Sequence, residues 1–353
     1  MRALTLVPGQ PGTLAVTDVD EPEPGPGELL VDGIAVGVCG TDREIAAGEY
    51  GWAPPGRERL VLGHESLGRV RTAPEGSGFA PGDLVAGVVR RPDPEPCGAC
   101  ARGQFDMCRN GRYTERGIKA LDGFAAQRWT VEADYAVRLD PSLEDVGMLL
   151  EPTTVVAKAW EQVQLVGERA WFEPRVALVT GAGPIGLLAA LLGVRRGLEV
   201  HVLDRVTDGP KPGLVADLGA EYHSRPVPEV AEAVRPDIVI EATGAGQVVL
   251  DALSATGSYG VTCLTGVTSS GRRLEFDVGA ANRGIVLDND AVIGSVNANL
   301  THYRAGAQAL ADADLGWLRR VVTRRVPLED ALEAFEDGSG GGHEVKTVID
   351  LER

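Results

Sequence analysis

The hydrophobic pattern of this 353-residue chain changes near residue 155. Before that point apolar residues come in short runs, Leu29–Val36, Leu84–Val89 and Arg128–Val131. Glycine and proline clusters such as Glu21-Pro-Glu-Pro-Gly-Pro-Gly27 separate them. Short strands bounded by turn-forming residues predict an irregular β-rich domain. Beyond residue 155, continuous apolar runs alternate with helical stretches. Val176–Thr180, Val200–Leu203, Ile238–Glu241, Gly260–Leu264 and Ala291–Gly294 are predicted strands, and a glycine turn and a helix to about Arg196 follow the first. Apolar runs that alternate with helices predict a parallel sheet covered on both faces. The tail reads as an amphipathic helix over Leu328–Phe335, a glycine-rich surface turn at Gly338–Gly342 and a last strand, Val345–Ile349.

The length suggests two domains at about 100–200 residues each. With 44% hydrophobic and 24% charged residues the chain is not intrinsically disordered. The charge is more telling: 34 basic against 51 acidic residues leave a net −17. Such a field repels phosphate backbones and anionic lipid, which excludes nucleic-acid and membrane-surface partners. Lysine is scarce, only Lys119, Lys158, Lys211 and Lys346, which reads as arginine-rich coding bias ahead of a salt-adapted host. Met1–Gln10 lacks the basic flank and apolar run of a signal peptide. The longest apolar stretch, Ile185–Val194, is too short to span a bilayer. A soluble, cytoplasmic protein is expected.

The coenzyme signal is Gly181-Ala-Gly183-Pro184-Ile185-Gly186, which follows a predicted strand and opens a helix, with Asp204 about 20 residues on. Gly181 permits the tight turn, Gly183 lets a pyrophosphate approach the backbone, and Gly186 brings helix and strand together. The helix N-terminus adds N–H donors and a positive dipole end. Asp204 can accept from the ribose hydroxyls and would repel a 2′-phosphate, favouring NAD. Arg205 directly behind it could pair with the phosphate of NADP instead. Thr243, just past the strand Ile238–Glu241, is a further candidate coenzyme contact.

Five cysteines, Cys39, Cys97, Cys100, Cys108 and Cys263, are an odd total, and three fall within twelve residues. That clustering points to metal rather than disulfides. Cys39-Gly-Thr41-Asp42 and Gly63-His64-Glu65 place a thiolate, an imidazole and a carboxylate in the first domain, with Glu151 a third or exchangeable ligand. Catalytic zinc takes three protein ligands and keeps one position open. Cys97, Cys100 and Cys108 supply three of the four thiolates of a closed structural zinc site. Asp93 or Glu95 would complete a tetrahedron; a decayed site without metal is the alternative.

In this order the motifs resemble a zinc-dependent medium-chain alcohol dehydrogenase over essentially the whole chain. Val38-Cys-Gly-Thr-Asp-Arg-Glu-Ile45, Tyr113-Thr-Glu-Arg-Gly-Ile118 and Gly294-Ser-Val-Asn-Ala-Asn299 resemble the archaeal-type glucose dehydrogenases within it. The resemblance implies an α/β chain: a GroES-like β-rich catalytic domain over 1–155 and 298–353, and a doubly wound Rossmann domain over 156–297. It implies oxidation of glucose or a related aldose at C1 to the lactone, with hydride passed to NAD or NADP. It carries the zinc ligands onto Cys39, His64 and, directly or through water, Glu65 and Glu151. Thr41 falls where a proton relay begins, and Glu115 and Asn297 where the family contacts sugar hydroxyls or the nicotinamide. It also implies a homodimer or homotetramer paired through sheet edges near Ala291–Val296. Two positions depart from the pattern. The first cysteine of the structural-zinc loop falls on Pro94, and a sugar-contacting asparagine falls on Val89, ahead of Arg90 and Arg91. A polyol or amino-cyclitol dehydrogenase on the same scaffold is the alternative enzyme, and a non-catalytic NAD(H)-sensing protein the alternative of another class.

Overall fold

Strand Glu28–Val38 shows how the N-terminal part is built. Leu29 and Val31 are buried and alternate with half-buried Leu30 and Asp32, after which Ile34–Val38 is buried on both faces. It pairs with Glu65–Thr72, Arg128–Glu132 and the C-terminal strand Lys346–Asp350, all antiparallel. The last pairing, Thr347 opposite Val38, brings the tail of the chain back to its first third. In this computed structural model, which describes residues 1–267, 273–336 and 343–352, the chain divides into two compact units. One comprises 1–154 with 298–353, the other 155–297.

The first unit is β-rich, with a seven-stranded sheet and two three-stranded sheets. Leu4, Leu6, Val36, Ile45, Leu60, Leu62, Leu328 and Ile349 share one of its cores. The second unit carries six parallel strands. Numbered in chain order (Val176–Thr180, Glu199–Leu203, Glu221–His223, Ile238–Glu241, Val261–Leu264, Ala291–Gly294), they lie in the order 3-2-1-4-5-6. That is the doubly wound dinucleotide-binding arrangement, whose ligands sit at the carboxyl ends of the strands beside the strand-order reversal.

Four of the described elements differ from the sequence reading. Leu328–Phe335 buries Leu328, Ala331 and Ala334 but forms tight 3₁₀ turns broken at Asp330 rather than one α-helix. Short strands at Arg2–Leu6, Glu221–His223 and Val322–Pro327 were not expected; pairing with neighbours, not their own apolar pattern, makes them strands. The glycine turn at Gly338–Gly342 lies outside the described residues. Among those described, no helix is long and apolar enough to cross a membrane.

Candidate functional site

Cys39 follows the strand Glu28–Val38 and caps the helix Gly40–Ala46, while His64 precedes and Glu65 opens the strand Glu65–Thr72. Antiparallel pairing of Gly37 with Glu65 brings the two segments together. Cys39 Sγ lies 3.0 Å from His64 Nε2, and ligand atoms of Cys39, His64 and Glu65 all lie within 4.8 Å of one another. Behind them stands Asp42, buried, at the third position of the helix. Its Oδ2 accepts from the Cys39 N–H at 2.9 Å, and its Oδ1 faces His64 Nδ1 at 3.2 Å. A proton held on Nδ1 by Asp42 leaves the Nε2 lone pair for a metal. Burial would lower the His64 pKa, but Asp42 and Cys39 outweigh it and raise it well above the ordinary value. Burial raises the Cys39 thiol.

Glu65 ion-pairs with Lys346, whose ammonium also donates to the Val38 carbonyl at 2.9 Å. Both residues are almost fully buried. Burial would lower Lys346, but Glu65 and Cys39 outweigh it and hold it above its usual value. Gly37 makes room for the pair: a Cβ there would stand 2.0 Å from Glu65 Oε2 and 2.8 Å from Lys346 Cε. Glu151 falls outside the close triad, yet its charge feels His64, Glu65, Lys346 and Asp42. Burial pushes its carboxyl up to about 7. Thr41 is half-buried on the first turn of the helix after Cys39. A half-buried thiol with a buried imidazole and carboxylate, the imidazole backed by a second carboxylate, form a donor set that fits zinc with one position left for substrate.

Glu115 lies on the hairpin strand Thr114–Arg116, opposite Arg90. The Arg90 guanidinium donates to Glu115 Oε1 from Nε (3.1 Å) and Nη2 (2.9 Å), and both side chains are buried. The hairpin is anchored to the metal triad by glycine packing, since a Cβ at Gly117 would stand 2.4 Å from the Gly63 carbonyl. Val89, where the resemblance expects an asparagine, is buried and donates its N–H to the Tyr303 hydroxyl at 3.1 Å.

Cys97, Cys100 and Cys108 also come within 4.8 Å of one another. Asp93 lies outside that close group. Its carboxylate accepts from Glu95 N (2.9 Å), Asn110 Nδ2 (2.8 Å) and Arg112 Nε (3.2 Å), and its backbone N–H donates to Cys100 sulfur. Glu95 is paired with Arg112 at 2.8 Å. Backbone N–H groups of Arg109, Cys100 and Ala99 lower the Cys97 thiol to about 6. The described residues thus offer three of the four ligands of a closed zinc site.

In the second unit Gly181 adopts φ +91°, the left-handed region, and turns the chain from strand Val176–Thr180 into helix Pro184–Arg195. A Cβ at Gly186 would stand 1.8 Å from the Gly181 carbonyl, whereas one at Gly183 would meet nothing within 4 Å. Close packing at Gly186 and an open face at Gly183, Pro184 and Ile185 suit a pyrophosphate on the helix N-terminus. Asp204 is not held open for a ribose alone. It accepts from Ala182 N (2.8 Å), Val206 N (3.0 Å) and Lys211 Nζ (3.0 Å), while Arg205 is exposed. Burial would raise Asp204, but these donors outweigh it and lower it. Thr243 gives its hydroxyl to the buried Glu241 carboxylate, which also accepts from the N–H groups of Thr243 and Gly244. Asn297 belongs to the second unit, in the left-handed conformation at φ +62°.

Residues 144–351 match the family "Glucose dehydrogenase C-terminus", and residues 25–141 the "Alcohol dehydrogenase GroES-like domain". Glucose 1-dehydrogenase of Methanocella arvoryzae is 39% identical over 360 residues, covering 99% of each chain. The chain belongs to the glucose 1-dehydrogenase family of zinc-dependent medium-chain dehydrogenases. Glucose 1-dehydrogenase of Halobacterium salinarum is 40% identical over 349 residues, covering 96% of each. Among solved structures, Haloferax mediterranei glucose dehydrogenase in complex with NADP, Zn and gluconolactone is similar over 100% of both chains, with TM-score 0.91 and 33% identity.

The contacts also show which residues around the site the motifs did not flag. Asp42 and Lys346, which hold the triad, Arg90, which holds Glu115, and Lys211, which holds Asp204, were not singled out as site residues. The spacing of Asp42 three residues after Cys39 is a capping-box signal. The rarity of lysine marks Lys211 and Lys346; nothing in the sequence marks Arg90.

Proposed function

We propose that this protein oxidises glucose or a closely related aldose at C1 to the lactone, passing a hydride to NAD or NADP with zinc at Cys39, His64 and Glu65. The convergence of these three ligand groups, with Asp42 behind the imidazole, carries the reading. Zinc bound there supplies a Lewis acid that eases loss of the C1 hydroxyl proton. Asp42 keeps His64 in the ligating tautomer, and Lys346 compensates Glu65. Glu151, a carboxyl pushed up to about 7, stands ready as an exchangeable ligand or proton acceptor beside the triad. The Thr41 hydroxyl passes the proton outward without itself ionising. Glu115, positioned by Arg90, accepts from a sugar hydroxyl, and Asn297 is a further contact for the sugar or the nicotinamide. A sugar hydroxyl buried without a partner costs about 1–3 kcal/mol, which is how such groups select a substrate.

Gly181, Gly183 and Gly186 cradle the pyrophosphate. Asp204 faces the adenosine ribose, but with Lys211 against it and Arg205 beside it a 2′-phosphate meets little net repulsion. Both coenzymes are therefore substrates, and the preference for NAD expected from Asp204 alone is weak. Strand Ala291–Gly294 ends the second unit's sheet and leaves Val292 and Val296 exposed. Its pairing with a second copy gives a dimer or tetramer, to be read from light scattering.

Initial rates over a panel of aldoses and polyols with each coenzyme, with zinc measured on the same sample, test the reading. Glucose or a C1-oxidised relative should lead; faster turnover of sorbitol than of every aldose would overturn it. Cys39→Ser should abolish turnover while coenzyme binding persists, which separates the enzyme from a nucleotide-sensing protein.

A further inference from the structure

Two histidines of the second unit have no part in the chemistry above. His201 lies mid-way along the strand Glu199–Leu203, and its register partner on the outermost strand is Glu221. Alternate residues of a strand share a face, so Glu199 and His201 align on one strand, and Glu221 and His223 on the next. The imidazoles are buried, 3% and 6% exposed, whereas both glutamates reach solvent.

The contacts are ordered. His201 Nδ1 lies 2.9 Å from His223 Nε2, and Glu221 oxygens lie 3.7 Å from each of these nitrogens. The other nitrogen of His201, Nε2, is 3.1 Å from Glu199 Oε1. Ligand atoms of His201, Glu221 and His223 all fall within 4.8 Å of one another, as they do at the two cysteine-containing groups. The family motifs account for those two groups and not for this one.

We propose that His201 Nδ1, His223 Nε2 and Glu221 bind a divalent d-block cation of the zinc type, with Glu199 orienting His201. Glu199 accepting from Nε2–H leaves Nδ1 without a proton, and Nδ1 is the nitrogen that faces His223. This is the carboxylate–histidine arrangement found behind metal-ligating imidazoles. Two imidazoles and a carboxylate select zinc, nickel, cobalt or copper over magnesium and calcium, which prefer all-oxygen sites. Ligands at about 2.0–2.1 Å in a tetrahedron stand roughly 3.3 Å apart, so the nitrogens need to open by a few tenths of an ångström. Solvent access through Glu221 leaves the fourth position to water.

The cation ties the three-residue edge strand to its neighbour. It lies close to the coenzyme turn, because the His223 carbonyl accepts the Asp204 N–H at 3.0 Å. Equilibrium dialysis of the full-length protein against micromolar free Zn2+, with zinc counted by mass spectrometry, tests the proposal. The wild type should hold one equivalent more than His201→Gln/His223→Gln. Glu221→Gln, which keeps the size of a solvent-exposed side chain, should weaken that equivalent at least tenfold and decides the matter should the double variant not fold. Equal zinc in wild type and Glu221→Gln, or an extra equivalent taken up only at millimolar zinc, overturns it.

Discussion

An imidazole has two nitrogens, and a metal can use only the one left without a proton. In this protein Asp42 makes that choice for His64 while also accepting the Cys39 N–H. Asp42→Asn removes the charge and keeps the shape. Zinc affinity, read by competition with a chelator, should fall about 10–100-fold; an unchanged affinity would confine Asp42 to capping its helix. Few lysines leave each one conspicuous: Lys346 holds Glu65, Lys211 holds Asp204, Lys158 donates to the Val296 carbonyl and Lys119 to the Gly111 carbonyl. Lys211→Ala leaves only Arg205 to offset the repulsion between Asp204 and a 2′-phosphate. kcat/KM should fall about tenfold more for NADP than for NAD, equivalent to ~1.4 kcal/mol. Equal losses with both coenzymes would show that Lys211 only braces the loop. Cys39, His64, Glu65 and the glycine turn were legible as residues because their chemistry is local and their spacing short. Arg90 was not, since its role depends on a hairpin partner 25 positions away.

At the level of elements, two glycines bring the secondary structure close enough for a site to form. Gly186 was legible from its motif, whereas Gly37 reads in sequence as an ordinary interruption of a strand. Its importance comes from the register that sets it opposite Glu65. Gly37→Ala forces a methyl into the Glu65–Lys346 pair and should cost about 1–3 kcal/mol in denaturant unfolding. It should also reduce zinc content, because Glu65 must move. Full zinc retention would show that the carboxylate relocates without consequence. The Leu328–Phe335 segment was misread for a related reason. Buried Leu328, Ala331 and Ala334 satisfy an α-helical period, but tight turns with a break at Asp330 bury the same three side chains.

For the molecule as a whole, charge sets the conditions of stability. A net −17 repels itself in the folded state, and screening falls within about 10 Å at 0.1 M salt. Tm should therefore rise as sodium chloride is increased from 0.01 to about 0.5 M in calorimetry; a flat profile would mean that local pairs already neutralise the field. Acid acts at identifiable places. Burial would raise Glu132, but Arg91, bonded to its Oε2 at 2.6 Å, together with Arg116, holds it at about 2. Its folded pKa lies below the ordinary 4.5, so its stabilising contribution is complete above pH 4.5 and lost as pH falls through 2. The stability gap between wild type and Glu132→Gln should close over that interval. The gap is at most about 1 kcal/mol, because the carboxylate is partly exposed and screened.

The sequence by itself determined the fold class, the dinucleotide turn and the candidate metal-ligating side chains. These are written in hydrophobic period, glycine placement and short motifs, all of which act over a few residues. Tertiary structure decided the rest: that Lys346 returns from the C-terminal strand to neutralise Glu65, that Asp93 accepts from Asn110 and Arg112, and that Asp204 meets Lys211. Each is a pairing of polar or charged groups that no short motif specifies. Which buried charge finds which partner depends on strand register and loop packing, and neither is encoded in any one segment.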